Sequence, residues 1–63
     1  MDKLLLRPEE AAEVIGVGRS KIFELIRAGA LESVRIGACR RIPAAALRAY
    51  VDALREEARE DVA

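Results

Sequence analysis

From Pro8 to Gly29 the apolar residues fall into two short stripes of helical spacing with glycine between them. In the first, Ala11 or Ala12 joins Val14 and Ile15 as a buried stripe, leaving Glu9, Glu10 and Glu13 outside. Proline at the first helical position and acids in the first turn favour a helix start, because proline needs no amide partner there and the acids face the positive helix end. Arg7 is a poor cap. Gly16 ends this helix, Val17 fills the turn, and Gly18 is an acceptable cap for a second helix that runs from about Arg19 to Ala28 and stops at Gly29. Ile22, Leu25 and Ile26 share a sector of about 100° and face the core. Ser20, Phe23, Glu24 and Arg27 occupy the opposite sector, flanked by Arg19 and Lys21.

The remaining pattern predicts smaller pieces around this pair. Leu4 to Leu6 is too short for a helix before Pro8 and reads either as a brief extended segment or as an apolar lead-in that packs ahead of the first helix. Ser33 to Ile36 alternates, glycine follows, and Arg40 to Ile42 resumes before Pro43, which predicts a β-hairpin. Val34 and Ile36 are expected to point inward with Ile42, Arg35 and Arg41 outward, and Arg40 to overhang the core edge near the tip. Pro43 opens a last helix, Ala44 to about Glu57, with an apolar line through Leu47, Tyr50 or Val51, Leu54 and Ala58. The ending REEAREDVA is charged, and fraying is expected there.

Counted from Pro8, small Ala12 is fifth, Gly16 ninth, Ile22 fifteenth and Leu25 eighteenth. These are the positions a helix-turn-helix needs: a small residue where the helices cross, a glycine at the turn, and two aliphatics that lock the second helix onto the first. The fold class expected is therefore mainly α with a small β-hairpin, a winged helix-turn-helix of about three helices plus a wing. Residues 1–55 are assigned to the domain and 56–63 to a charged tail.

Composition narrows the function. A chain of 63 residues is one domain that buries only about 60% of its unfolded surface, too little for an enclosed catalytic cleft of ordinary size. The hydrophobic fraction is 52%, but alanine inflates it, and Phe23 and Tyr50 are the only aromatics. With no histidine, the commonest general base and metal ligand is missing. Cys39 stands alone, so an intrachain disulfide is impossible, a structural zinc site is not expected, and a reducing compartment suits the chain. No glycine-rich phosphate loop occurs, and the glutamates lie on solvated helical faces. An enzyme is rejected on these grounds, and no cofactor is expected. No apolar run approaches the roughly 18 residues of a membrane span, and no signal-peptide pattern opens the chain. A cytoplasmic, bacterial-type protein is expected, nucleoid-associated when bound.

Net charge is zero, yet it is unevenly placed. Residues 1–17 carry −2 and residues 52–63 carry −3, whereas 18–48 carry seven bases against Glu24 and Glu32, for +5. A neutral protein can still have a basic face. A helix presenting Arg19, Ser20, Lys21 and Arg27 fits a major groove, and a hairpin bearing Arg35, Arg40 and Arg41 fits phosphates or the adjacent minor groove. Phe23 either contacts a thymine methyl or sugar, or curls against the wing and extends the core. Glu24 either accepts from a cytosine amino group or pairs with Lys21 or Arg27.

The run from about Leu5 to Val51, with EEAAEVIGV, GRSKIFELIRAGAL, and VRIG followed by RRIP and a helix, resembles the excisionase-type helix-turn-helix proteins. These are small winged-helix relatives of the mercury-resistance regulator DNA-binding domain. The resemblance implies double-stranded DNA as partner, with contacts from Arg19, Ser20, Lys21, Phe23, Glu24 and Arg27 and from Arg35, Arg40 and Arg41 in the wing. Relative to the family pattern, Gly18 replaces serine, Phe23 tyrosine, Glu24 a basic or polar residue, and Ala38 and Cys39 basic residues at the wing tip. The resemblance further implies cooperative binding to repeats, neighbouring copies on DNA, DNA bending, and help to an integrase. A small transcription regulator working with the transcription machinery is the alternative, and an antitoxin-like interaction module, suggested by the acidic C-terminal end, is a second. A monomer is expected when free.

Overall fold

The computed structural model describes residues 3–62, with side chains described through residue 59. In chain order the elements are β1 (Leu5–Leu6), α1 (Pro8–Ile15), α2 (Arg19–Arg27), β2 (Val34–Ile36), β3 (Cys39–Pro43) and α3 (Ala44–Val62). The architecture is a winged helix-turn-helix, three helices and a hairpin, as the sequence pattern predicts. Leu4 to Leu6 takes the extended alternative. β1 pairs antiparallel with β3, Leu5 opposite Pro43 and Leu6 opposite Ile42, and so makes a three-stranded sheet of order β1-β3-β2. The Ala44 amide donates to the Leu4 carbonyl at 2.9 Å, which ties the start of α3 to the first strand.

α1 starts at Pro8 with Arg7 in the capping position, as expected. A side chain further on compensates for the poor cap: Glu10 accepts a hydrogen bond from the Arg7 amide at 2.9 Å and pairs with the Lys3 ammonium. These two donors, the lysine foremost, hold the Glu10 carboxyl down at about 2. A carboxylate whose folded pKa is lowered supports the fold above its unfolded value and loses that support as pH falls toward the folded one. Wild type is therefore expected to lose stability between pH 4.5 and about 2 that Glu10→Gln has already lost at neutral pH. Urea titrations at stepped pH check this, and parallel curves for the two proteins would contradict it.

Both helices of the pair end in the same way. Gly16 and Gly29 adopt φ of 74° and 78°. After α1 the Gly16 and Val17 amides donate to Glu13 and Ala12, and after α2 the Gly29 and Ala30 amides donate to Ile26 and Leu25. This is the Schellman arrangement, which satisfies the last carbonyls and requires a residue at ease with positive φ.

The core is formed by Leu6, Ala11, Ala12, Ile22, Leu25, Leu31, Ile42 and Leu47, with Ile15, Ile26, Ala46 and Tyr50 packed at its edge. Three expectations are corrected. Val14 is 55% exposed, not buried. At 100° per residue, Pro8, Ala11, Ala12 and Ile15 share one sector, and Val14 lies about 110° from its middle. It lines a shallow apolar groove with Val17, Leu25, Val51 and Leu54.

The second correction concerns the wing. Val34 pairs with Arg41, Arg35 with Arg40 and Ile36 with Cys39, around a two-residue turn at Gly37 and Ala38. Gly37 has φ of 62° and Ala38 has no positive φ, the pattern of a type II′ turn. Residues opposite each other share a face and successive residues alternate. Ile42 therefore lies on the face of Arg40 and Arg35, while Val34 and Ile36 share theirs with Arg41 and Cys39. Ile42 is fully buried against Leu6, whereas Ile36, beside the turn and beyond the reach of the core, is 58% exposed.

The third concerns α3, which continues to Val62 instead of ending near Glu57. Leu47 is buried and Tyr50 half-buried, and every described side chain from Val51 to Arg59 is exposed. Fraying is expected of the end of this segment, and Ala63 lies outside the described residues. No helix among the described residues is long and apolar enough to cross a membrane.

Candidate nucleic-acid interface

Burying Ile22 and Leu25 fixes the rotation of α2. Its outward face then carries Ser20, Glu24 and Arg27, all exposed, with half-buried Phe23 beside them. Arg19 lies on the Phe23 flank and Lys21 on the other. The Arg19 guanidinium carbon sits 5.0 Å from the centre of the Phe23 ring, within cation–π range. Its Nε is 3.6 Å from Oε2 of Glu9, which reaches across from the first turn of α1. On the opposite flank the Lys21 ammonium donates to Glu24 Oε1 at 3.0 Å, one of the two local pairings anticipated for Glu24. That bond raises the lysine pKa above its ordinary value, so the charge is kept. Arg27 makes no ion pair among the described residues and closes α2 with its positive charge unmatched.

The wing holds its three arginines differently. Arg35 is exposed. Arg40 is half-buried and donates from Nη1 to the Ser33 hydroxyl at 2.6 Å, across the hairpin from where the sequence leads into β2. Arg41, half-buried rather than fully outward, donates from Nη1 to the Arg40 carbonyl at 3.0 Å. Because of the pairing register, Arg35 and Arg40 leave one face of the hairpin and Arg41 the other. No acid neutralises any of the three among the described residues. Cys39 is exposed at the tip beside the turn.

All nine residues singled out from the sequence thus lie on α2 or the wing, the two elements expected to meet DNA. Two partners were not legible. Glu9 reads from sequence as an ordinary solvated acid, and its ten-residue separation from Arg19 follows no helical period. Ser33 closes on Arg40 only once the hairpin pairs.

The helix–turn–helix followed by a wing invites comparison with known proteins. The helix-turn-helix domain family matches residues 5–55, from β1 into α3. A probable excisionase of Saccharopolyspora erythraea is 49% identical over 49 residues, 78% of this chain and 50% of that protein. An excisionase of Streptomyces ambofaciens is 43% identical over 49 residues, covering 78% of this chain and 77% of the relative. The chain belongs to the excisionase-type helix-turn-helix family. The match spans only half the length of the Saccharopolyspora protein. No solved structure matches the chain significantly.

Proposed function

We propose that the chain is a sequence-specific double-stranded DNA-binding protein acting as an excisionase. It binds neighbouring repeats cooperatively and bends the DNA so that an integrase can excise an element. It does so by binding and not by catalysis, in the bacterial cytoplasm on the nucleoid. Residues 1–55 form the DNA-binding domain, with 56–63 as an acidic extension. The observation that carries this is the set of arginines with no acidic partner among the described residues, Arg27 on α2 and Arg35, Arg40 and Arg41 on the wing, on the two elements that a groove and its flanking phosphates would receive. The two excisionase relatives support the assignment to excision over other uses of the fold. The size suits cooperative use: one such module covers about 600–1,000 Å² of protein surface on DNA, the low end for specific protein–DNA interfaces.

In this arrangement α2 reads bases and the wing holds phosphates. Arg41→Ala is expected to weaken selected and random duplexes by the same factor and to lower the salt slope of log K by about one. Titrations of both duplexes across a salt series check it, and a loss confined to the selected duplex would move Arg41 into base reading. The excision role is tested with an integrase and a reporter flanked by that integrase's attachment sites. Excision that rises only when the chain is present is expected. Unchanged excision, with altered expression from a promoter carrying the selected site, would make the protein a transcription regulator instead.

A further inference from the structure

Arg19 differs from every other base of α2 and the wing in being held from two sides by side chains of two elements. Glu9 of α1 takes its Nε edge at 3.6 Å, and the Phe23 ring lies beneath the guanidinium at 5.0 Å. Lys21 is matched only within its own helix. Exposed ion pairs add little to stability, and the side chains of Arg19 and Glu9 are 62% and 57% exposed, so this pair does not serve to hold the fold together. Its consequence is geometric. A guanidinium is planar and its donors form a rigid fork. With the Nε edge on Glu9 and one face on Phe23, no side chain among the described residues takes the end bearing Nη1 and Nη2. That end matches the O6 and N7 acceptors of guanine in the major groove.

We infer that Glu9 is a positioning residue for guanine recognition, setting Arg19, with Phe23 beneath it, in the orientation that reads one G·C pair. The inference rests on the proposal that α2 reads DNA. An arginine already held loses less freedom on binding than one that must be ordered on the base. Glu9 has a second, opposite effect. Its charge repels phosphate, which weakens binding to every sequence and does so in a salt-dependent way. The acid thus lowers affinity overall and raises selectivity at one position, and the two effects separate experimentally because only the second passes through Arg19.

The experiment uses the full chain as wild type, Glu9→Gln, Arg19→Ala and the double variant. The probes are a duplex selected from a random library, that duplex with each G·C pair replaced in turn, and a random duplex. At one G·C pair wild type is expected to discriminate by about 5- to 100-fold, and Arg19→Ala to lose that preference. Glu9→Gln should bind the random duplex a few-fold more tightly yet lose about threefold or more of the preference at the same pair. Added to Arg19→Ala, it should still tighten random binding and leave the remaining selectivity unchanged. Phe23→Leu, which keeps the apolar bulk and removes the ring, should lower the preference at that pair as well. Full discrimination in Glu9→Gln, or an equal loss in the Arg19→Ala background, would overturn the positioning role while DNA reading stands. Wild type with no sequence preference would overturn both.

Discussion

Replacing Ile22 by alanine is expected to remove a large part of the folding stability of the chain. Ile22 is 0% exposed and belongs to the same core as the small Ala11 and Ala12 of α1. Truncating a buried isoleucine to alanine costs about 2–5 kcal/mol, from lost transfer energy and from the cavity left behind. A chain this small holds roughly 3–9 kcal/mol in total. Val14→Ala is the control: Val14 is 55% exposed, and its replacement should stay within about 0.5 kcal/mol of wild type. Urea unfolding followed by far-ultraviolet circular dichroism measures both. If Val14→Ala proved the more damaging, the rotation of α1 and α2 would be wrong, and with it the face that α2 presents.

The second large effect is expected on DNA. Arg27→Ala should lose about 1–3 kcal/mol on the selected duplex and much less on random DNA, the signature of a lost bidentate base contact. The reason is its isolation. Arg27 projects from the last turn of α2 on the face opposite Ile22, and no acid among the described residues competes for it. Competitive gel shifts with selected and random duplexes decide the matter. Equal losses on both would reduce Arg27 to a phosphate contact and leave base reading to the N-terminal half of α2.

Most of the helical pair was legible because period and punctuation agree. Pro8, Gly16, Gly18 and Gly29 mark the boundaries, and Ile22 and Leu25 fix the buried face of α2 with little competition. Val14 misleads because its side chain is the more hydrophobic while its angle on the helix turns it outward: Ala11 and Ala12 look weak but occupy the crossing, where small side chains let the helices approach. The wing was legible as a hairpin but not in its facing. Placing Val34, Ile36 and Ile42 on one side requires three residues in the turn, whereas the chain uses two, Gly37 and Ala38. A one-residue difference in register moves every side chain of one strand to the other face. Leu6 and Leu31, two of the largest fully buried side chains, lie in segments too short to show any period, and only the closed fold gives them their neighbours. The same holds for the site. The basic residues could be found by counting, but the Glu9 contact to Arg19 depends on how α1 and α2 cross.

The most direct measurement on the proposal that α2 and the wing read DNA is selection of bound sequences from a random duplex library, followed by gel-shift titration on the recovered sequence. A defined motif is expected, in tandem copies bound cooperatively, with affinity that falls on Arg27→Ala. Recovery of no motif, with only weak salt-sensitive binding that Arg27→Ala leaves unchanged relative to random DNA, would contradict it.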